Sequence, residues 1–422
     1  MARTNEMTIR EVRRDLHRRP ETGWCEFRTT ALVAAELDDR GYEVHLGPNA
    51  LDVGSRLGVP EDRDLRAAAD RARDQGATEA YLDAMDGVTG GVAEKTFDPA
   101  GPVVGVRVDM DALEITEATS DEHRPAREGF ASEYPGTMHA CGHDGHTAIG
   151  LGVARAFEET DDFDGTLRLF FQPAEEGSRG GLAMSRTDHL ADVDYLFALH
   201  LGFGRETGTV IAGFDRPLAN GRFDVTYEGT PSHAGHAPQD GNNALLAAVT
   251  AIQGLYAVPR HGDGATRVNV GRVRSPNPQN VVADRAEMRV EVRGETTEIR
   301  DWMVDRAKRV VDAAATMYGT EYDVDRCGWA DSFEADERPV DAVAKAARQH
   351  PDVDAAVRRD RMGASDDAAN LIRRVQQNGG EGTYVLVGAS NPDGHHTAKF
   401  DIDEDALDLG VEVLTEAIRN VA

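Results

Sequence analysis

The chain has 422 residues, of which 40% are hydrophobic, and its formal net charge at pH 7 is −29. Its length suits two domains of about 100–200 residues each, and no apolar run approaches the ~20 residues that a membrane-spanning helix needs. The acidic residues are dispersed along the chain, so the surface is expected to repel nucleic acid and anionic membranes. We hypothesise a salt-adapted, halophilic source, in which salt screens the self-repulsion.

The N-terminal residues 1–19 are charged and lack the apolar core of a signal peptide, which predicts a cytoplasmic protein. The three cysteines, Cys25, Cys141 and Cys327, lie far apart in the sequence. Their odd number and wide spacing argue against a disulfide framework.

The first hundred residues indicate structure more clearly than chemistry. Apolar periodicity predicts helices over residues 8–18 and 29–40, followed by a strand over 42–46. Residues 47–99 are polar, charged and rich in alanine, and contain two short helical stretches. We interpret 47–99 as an insertion at the rim of the fold, which forms either a wall of the pocket or an interface.

Four predicted strands end in residues suited to metal binding or acid–base chemistry. The strands cover 103–113, 166–173, 194–200 and 382–388. The residues at or just beyond their ends are Asp109, Asp111, Glu175, Glu176, His200, His395 and His396. Because sites in open α/β sheets form at the carboxyl ends of strands, this pattern predicts one shared site at a sheet edge.

The densest motif covers residues 137–146, which contain one thiol and three imidazoles. Cys141 and His143 are two residues apart, so they can bind one metal ion from a single turn. Thiolate and imidazole bind zinc, and imidazole also suits manganese, iron and cobalt. Because further ligand types occur downstream, the motif favours a metal site over a polar loop with incidental histidines.

The pattern changes between residues 216 and 331, where the predicted elements follow the order β-α-β-β-α-β. This order is typical of a ferredoxin-like unit. We therefore predict an inserted α+β domain over 216–331. The remaining residues, 1–215 and 332–422, are expected to form one discontinuous α/β catalytic domain that binds metal.

The candidate ligands can hold two divalent ions that share one thiolate. One ion would be bound by Cys141, His143 and His200, and the other by Cys141, Glu176 and one of His395 and His396. Each ion would keep an open position for water, as in catalytic sites. Two ions about 3.5–4 Å apart can activate a bridging water and polarise a carbonyl oxygen. Glu175, if it is not merely a solvated acid, is then free to act as general base and acid.

Other residues of the first domain are candidates for supporting roles. Asp109 would orient a metal-bound imidazole from behind. Asp111 and Asp144 would either cap backbone groups or support ligands. His139 and His146 flank the ligands and are expected to be hydrogen-bonded supports.

The inserted domain contributes three candidates for substrate contacts. His233 could donate a hydrogen bond to the oxyanion of a tetrahedral intermediate. Arg293 could bind a substrate carboxylate with two hydrogen bonds, and Asn280 is a lesser candidate for the same task. By position alone, a structural role remains the alternative for each of the three.

Taken in order, five motifs resemble peptidase family M20, in its amidohydrolase branch. They are MHACGHDGH at 138–146, FQPAEEG at 171–177, ALHLG at 198–202, SHAG at 232–235 and HHTAKFDIDE at 395–404. The branch includes auxin-conjugate hydrolases, hippurate hydrolases and N-acyl-amino-acid deacetylases. Within it, the long insertion before 107–113 and the segments 123–132 and 290–296 are most similar to aminobenzoyl-glutamate hydrolases.

The resemblance implies a zinc-peptidase-like catalytic domain with a mixed sheet flanked by helices. It also implies two manganese or zinc ions in each chain and homodimers formed through the inserted domain, and a second, homologous subunit is a further expected partner. The histidine matching His233 would reach into the partner subunit's site, and Arg293 with Asn280 would bind the substrate's free carboxylate. Counting back from Phe400 places the last ligand at His396, with His395 as the alternative.

The predicted function is metal-dependent hydrolysis of the amide bond between an acyl or aroyl group and an amino acid. The first expected substrate is p-aminobenzoyl-glutamate, and N-acyl, benzoyl or indole-acetyl amino acids come second. Three alternatives remain open. They are a general N-acyl-amino-acid or auxin-conjugate hydrolase, a dipeptidase, and a non-catalytic subunit of a hetero-oligomer.

Overall fold

The structure, a computed structural model, describes residues 7–158 and 163–422, so the first six residues of the charged N-terminal segment 1–19 lie outside it. Within the described part the helices are α1 (Ile9–Arg18), α2 (Phe27–Asp39), α3 (Asp62–Asp74), α4 (Glu79–Met85), α5 (Arg124–Glu128), α6 (His143–Glu158), α7 (Gly181–Ser185), α8 (Ala244–Tyr256), α9 (Thr297–Tyr318), α10 (Glu337–Gln349), α11 (Ala368–Gln377) and α12 (Asp405–Val421). The strands are β1 (Glu43–Leu46), β2 (Gly91–Thr96), β3 (Val103–Asp109), β4 (Thr166–Gln172), β5 (Tyr195–Leu201), β6 (Thr209–Asp215), β7 (Ala219–Glu228), β8 (Thr266–Arg274), β9 (Arg285–Gly294), β10 (Glu321–Ala330), β11 (Ala355–Arg361) and β12 (Glu381–Val387).

The larger of two compact units comprises Met1–Asp215, Phe333–Met362 and Asp366–Ala422. It is built on an eight-stranded mixed sheet with the order β1-β2-β4-β3-β5-β12-β6-β11. Every residue of β4 and β5 is buried, as expected for interior strands of a sheet that is packed on both faces. This is the predicted α/β architecture.

The smaller unit comprises Arg216–Ser332 and Gly363–Ser365. Its four strands form an antiparallel sheet with the order β10-β7-β9-β8. Alternate residues of β7 and β9, such as Val225 and Val290, share a core with α8 and α9, because side chains on alternate positions of a strand point to one face. The observed order β7-α8-β8-β9-α9-β10 is the predicted β-α-β-β-α-β pattern.

Segment 47–99 is not confined to the rim, and this corrects the interpretation made from the sequence. α3 and α4 correspond to the expected helical stretches, but β2 pairs antiparallel with both β1 and β4 inside the large sheet. β6 and β11, which the sequence did not single out, extend the opposite side of that sheet. Half of β2 is buried on consecutive residues, so it lacks the alternation that identifies a strand.

No helix within the described ranges is both long enough and apolar enough to cross a membrane. Cys25, Cys141 and Cys327 are free thiols, of which the first two are buried.

Candidate metal centre

The four strands that end in candidate residues are neighbours in the large sheet. β4, β3, β5 and β12 run side by side and parallel, so their carboxyl ends meet at one edge, as the sequence predicted. The first turn of α6 reaches the same edge, because His146 hydrogen-bonds to Asp109 at the end of β3 and to Leu201 at the end of β5.

Two groups of candidate ligands converge at this edge and share one thiol. In the first, the ligand atoms of Cys141, His143 and His200 lie within 4.8 Å of one another, and Cys141 Sγ is 3.6 Å from His200 Nε2. In the second, those of Cys141, Glu176 and His396 lie within 4.8 Å of one another, and Glu176 Oε1 is 3.3 Å from His396 Nε2. The structure thus brings together the five ligand candidates, with Cys141 common to both groups.

The two adjacent histidines after β12 have different surroundings. His395 Nε2 lies 3.2 Å from the carbonyl oxygen of Leu201, and His395 Nδ1 lies 3.2 Å from Nδ2 of Asn391. His396 faces Glu176 and has a left-handed backbone with φ of 59°, a conformation that is uncommon for a non-glycine residue and concentrates at functional sites. The geometry therefore favours His396 over His395 as the ligand.

The donor atoms of these groups fit divalent cations. Within the described residues, His143 Nδ1 lies 3.3 Å from Asp111 Oδ1 and Glu176 Oε1 lies 3.3 Å from His396 Nε2. Neither contact has the geometry of a hydrogen bond, and His143 Nε2 has no hydrogen-bond partner in this part of the chain, although buried polar atoms are almost always paired. Burial opposes protonation of His143, but Asp109 and Cys141 outweigh it and raise the pKa of that imidazole well above its usual range. The surrounding groups therefore favour a positive charge at this point, which a divalent cation would supply.

The pKa values of Cys141 and His200 are shifted in opposite directions, so only the thiol must lose a proton to become a metal ligand. Burial, followed by the Glu176 carboxylate, raises the pKa of the Cys141 thiol well above its usual range, and a bound cation would reverse this. His200 Nδ1 lies 2.8 Å from the carbonyl oxygen of Leu201, so Nδ1 carries the proton and Nε2 presents its lone pair. Burial, followed by His146, lowers the pKa of His200 well below its usual range, which keeps this imidazole neutral, as metal binding requires.

The loop after β4 places Glu175 next to the candidate ligand Glu176. Ligand atoms of Glu175, Glu176 and His143 lie within 4.8 Å of one another, and Glu175 is only 9% exposed. Burial, followed by the Asp366 and Glu176 carboxylates, raises the pKa of Glu175 well above its usual range. A buried carboxyl group with a raised pKa is suited to take up and return a proton near neutral pH.

Two buried acids hold this loop by its backbone, and one of them could not be found from the sequence. Asp111 accepts hydrogen bonds from the backbone N–H groups of Glu175 at 2.9 Å and of Glu176 at 3.0 Å. Glu26 accepts one from the backbone N–H of Ala174 at 2.8 Å, across 148 residues of sequence. Burial, followed by the Asp111 carboxylate, raises the pKa of Glu26 to about 8. No local pattern around Glu26 marks it as part of a distant site.

Asp109 contacts the site from behind. Its Oδ1 is 2.5 Å from His146 Nδ1 but 3.8 Å from His143 Nε2, so its direct partner is His146 and not a candidate ligand. Arg107 donates to Asp109 Oδ2 at 2.6 Å and to Gln172 at 2.8 Å. His146 is therefore the hydrogen-bonded support that the sequence predicted. Asp109 makes no hydrogen bond to a candidate ligand within the described residues and contacts His146 instead.

Two other candidates of the 137–146 motif, Asp144 and His139, differ in their hydrogen bonding. Asp144 accepts a hydrogen bond from Arg13 Nε at 3.0 Å and pairs with His17 Nδ1 at 2.8 Å. His139 is buried, and neither of its ring nitrogens has a hydrogen-bond partner among the described residues, so the expected supporting hydrogen bond is not made. Burial lowers the pKa of His139 to about 4, which keeps it neutral.

His233 and Asn280 are neighbours in the smaller unit. The backbone N–H groups of Gly235 and His236 donate to His233 Nδ1 at 3.2 Å and 3.0 Å, which leaves the proton of the neutral ring on Nε2. The backbone N–H of Ala234 donates to the carbonyl oxygen of Asn280 at 3.0 Å. His233 is exposed, so its Nε2–H is available as a donor.

Arg293 lies on β9 of the same unit and already has two partners. Its Nε donates to Glu291 at 2.6 Å, and its Nη1 contacts Ser365 Oγ at 3.3 Å. These contacts fix the orientation of the guanidinium group. A carboxylate bound by Arg293 would therefore meet a preoriented donor but would compete with Glu291.

Comparisons with known proteins identify relatives along nearly the whole chain. A model of peptidase family M20/M25/M40 matches residues 105–420. The indole-3-acetyl-aspartic acid hydrolase of Enterobacter agglomerans is 45% identical, over 97% of this chain and 94% of the relative. One subunit of the p-aminobenzoyl-glutamate hydrolase of Escherichia coli (strain K12) is 43% identical, over 97% of this chain and 94% of the relative.

Two solved structures share the fold. An aminobenzoyl-glutamate utilization protein from Klebsiella pneumoniae matches with a TM-score of 0.84 at 38% identity, covering 98% of this chain and 95% of that one. A dinuclear metal-binding peptidase of the M20 family from Bacillus subtilis matches with a TM-score of 0.66 at 26% identity, covering 97% of this chain and 96% of that one.

Proposed function

The chain belongs to peptidase family M20/M25/M40, and we propose from this that it hydrolyses p-aminobenzoyl-glutamate to p-aminobenzoate and glutamate. The broader activity, metal-dependent hydrolysis of the amide bond of N-acyl amino acids, follows from relatives at 45% and 43% identity. Both relatives are named for amides of acidic amino acids, so conjugates of glutamate and aspartate come before other substrates. The observation that carries the proposal is the pair of ligand groups sharing Cys141, with Glu175 beside them.

The ligand residues divide between two cations. Cys141, His143 and His200 would hold one, and Cys141, Glu176 and His396 would hold the other. Two divalent ions, manganese or zinc, would lower the pKa of a shared water toward ~7 and polarise the amide carbonyl group. The Bacillus subtilis peptidase that shares this fold is a dinuclear metal-binding protein, which supports two ions rather than one.

Glu175 is the proposed general base and, later, the general acid. Asp111 holds the backbone N–H groups of both Glu175 and Glu176, so one side chain can serve as a ligand while its neighbour stays free. A Glu175 oxygen would accept a proton from the attacking water and return it to the nitrogen of the leaving amino acid. The burial of Glu175 keeps this proton from exchanging with bulk water.

The smaller unit would supply the substrate contacts. His233 Nε2–H would donate to the developing oxyanion, and the backbone donors to Nδ1 support this assignment because they select the required tautomer. Arg293 and Asn280 would bind the free carboxylate beside the scissile amide. We assign the smaller unit to a lid and dimerisation domain and the larger unit to the catalytic domain. The smaller unit was predicted over 216–331, and it also includes Ser332 and Gly363–Ser365, which the sequence analysis had placed in the catalytic domain.

A homodimer through the smaller unit is the proposed assembly, and His233 would then act in the partner subunit's site. Four large apolar side chains of α8 are exposed, namely Leu245 (36%), Leu246 (46%), Val249 (40%) and Tyr256 (49%). β8 is an edge strand of its sheet, and an unpaired edge can join a second copy. A homologous second subunit is the alternative partner, because the Escherichia coli relative is itself named as one subunit of its enzyme.

We also propose a cellular compartment and a salt environment for this chain. Three free cysteines, one of them needed as a metal-bound thiolate, suit a reducing compartment such as the cytoplasm. The net charge of −29 supports adaptation to high salt.

The function is tested with the chain expressed alone and loaded with manganese or zinc. We expect about two metal ions per chain and release of p-aminobenzoate from p-aminobenzoyl-glutamate. Indole-3-acetyl-aspartate is the second substrate to assay, because the relative at 45% identity is named for it. A preference for dipeptides would identify a dipeptidase, and a metal-loaded chain that hydrolyses none of these compounds would identify a non-catalytic subunit.

A further inference from the structure

The segment 53–58 of the insertion lies against the loop that carries Glu175 and Glu176. Leu57 accepts a hydrogen bond from the indole N–H of Trp24 at 2.8 Å, and Gly58 accepts one from Arg179 Nη1 at 3.4 Å. A Cβ atom on Gly23, the neighbour of Trp24, would lie 3.0 Å from Cα of Ala174. The insertion is thus joined to the site through residues 23–24 and through residue 179.

Arg56, in the middle of this segment, is partly buried and forms no ion pair with any carboxylate in residues 7–158 or 163–422. Its Nε and Nη1 are shielded from solvent and have no hydrogen-bond partner within the described part of the chain. Burial lowers the pKa of Arg56, and no carboxylate in the described residues offsets the effect. The nearest aromatic partner, the ring of Trp24, is 5.6 Å from Cζ, which is near the limit for a cation–π contact.

This arrangement is unusual for the molecule. The chain has 75 acidic residues against 46 Lys and Arg, and other buried arginines of the larger unit are closely paired. Arg13 lies 3.0 Å from Asp144, and Arg107 lies 2.6 Å from Asp109. An arginine left with buried, unsatisfied donors costs free energy unless a ligand completes it.

Arg179 adds a second guanidinium group to the same region. Its Nε donates to the carbonyl oxygen of Glu176 at 2.7 Å, so it is tied directly to a candidate metal ligand. A Cβ on Gly23 would lie 2.2 Å from Arg179 Nη2, so the Arg179 side chain packs directly against the backbone of residue 23. The partners of Arg179 are backbone carbonyl oxygens, so its positive charge is not neutralised by them.

We propose that Arg56, supported by Arg179, binds the side-chain carboxylate of the acidic amino acid that is released. This inference rests on the proposed function, and it assigns the insertion a role in selecting dicarboxylic amino acids. Arginine is suited to the task because its planar guanidinium group binds a carboxylate with two hydrogen bonds. The carboxylate would pair with Nη2 and with one of the two shielded donors, Nε or Nη1, of Arg56. It would also introduce an anion, which this region lacks among the described residues.

The test compares p-aminobenzoyl-glutamate with p-aminobenzoyl-glutamine, which has nearly the same shape and a neutral side chain. In the wild type, kcat/KM should favour the glutamate compound by about 10- to 100-fold, the effect of one charged hydrogen-bonded contact. Arg56→Gln should remove this preference by lowering kcat/KM for the glutamate compound alone, and Arg56→Lys should restore part of it. Arg66→Gln, on exposed α3 of the same insertion, should behave like the wild type.

A binding measurement separates this inference from the proposed function. Calorimetry on a Glu175→Gln background needs no turnover, so it reports recognition even if the chain hydrolyses neither compound. Selective loss of binding of the glutamate compound on adding Arg56→Gln supports the inference. An equal effect on both compounds, no effect, or no binding of either compound overturns it. Absence of hydrolysis by the metal-loaded wild type counts against the proposed function alone.

Discussion

At the scale of single residues, two adjacent carboxylates acquire different tasks from their surroundings. Glu176 lies 3.3 Å from His396 and belongs to the group around Cys141. Glu175 is more deeply buried and has a strongly raised pKa. The same residue type at successive positions can therefore serve as a ligand in one case and as a proton carrier in the other.

We expect Glu175→Gln to lower kcat by about 100- to 10,000-fold, because the amide cannot accept a proton from the attacking water. The metal content should remain at the wild-type value, as measured by plasma mass spectrometry. The matched control is Glu176→Gln, which should lose metal along with activity. Near-normal kcat in Glu175→Gln would contradict the assigned mechanism.

His17 is a second residue whose environment sets its charge. Burial opposes its protonation, but hydrogen bonds to Asp144 at 2.8 Å and Glu117 at 3.0 Å outweigh burial. They raise the pKa of His17 from 6.5 to about 9. A shift of this size corresponds to about 3 kcal/mol of stability linked to protonation.

The raised pKa of His17 determines how its contribution to folding stability changes with pH. Its contribution to folding is fully present below pH 6.5 and is lost as the pH rises toward about 9. We therefore expect the free-energy difference between wild type and His17→Gln, from chemical denaturation, to be largest near pH 6 and to shrink between pH 6.5 and 9. A difference that does not change with pH would contradict the assignment.

At the scale of elements, the loop after β4 is held under strain by acids from distant parts of the chain. Ala174 and Ser178 have left-handed backbones, with φ of 52° and 59°, and such residues cost on the order of 1–3 kcal/mol each. Asp111 and Glu26 accept three successive backbone N–H groups of this loop. These hydrogen bonds oppose relaxation and keep the general base in place.

We expect Glu26→Ala to lower kcat by about 100-fold, because a displacement of the base of about 1 Å is enough for such a loss. KM and metal content should change little, since Glu26 contacts neither substrate nor ligands. Glu26→Gln should recover most of the activity, because its amide oxygen can still accept from Ala174. If the two variants lose activity equally, hydrogen bonding to the loop is not the role of Glu26.

At the scale of the whole molecule, charge and oligomeric state are the properties most open to test. The net charge of −29 creates a self-repulsion that opposes the compact state and that salt screens. We expect the melting temperature to rise steeply between low salt and molar KCl, as measured by scanning calorimetry. An uncharged osmolyte at the same osmolality should have a smaller effect. A melting temperature that does not respond to KCl would contradict salt adaptation.

The exposed apolar face of α8 predicts the oligomeric state. We expect the wild type to have twice the chain mass of 45.7 kDa by light scattering, and the double variant Leu246→Glu, Val249→Glu to be a monomer, because buried charges destabilise an interface. Val357→Glu, an exposed position of β11 in the larger unit, is the control and should remain dimeric. A wild type that is monomeric would contradict the proposed assembly.

The sequence by itself determined the fold class, the family and the set of candidate ligands. These follow from local signals: apolar runs mark buried strands, their ends carry Asp109, Glu175 and His200, and the close spacing of Cys141 and His143 marks a metal site. Parallel strands then place their ends at one edge whatever the details of the loops. Chemistry encoded within a few neighbouring residues can therefore be recognised directly from their order in the chain.

Only the tertiary structure decided which groups meet when they are far apart in the sequence. It gave His396 and His395 different neighbours, joined Glu26 to Ala174, and left two donors of Arg56 without a hydrogen-bond partner among the described residues. It also placed β2 inside the large sheet. Such contacts depend on packing between segments that are distant in the sequence. The local periodicity and motifs around a residue do not contain information about its distant neighbours.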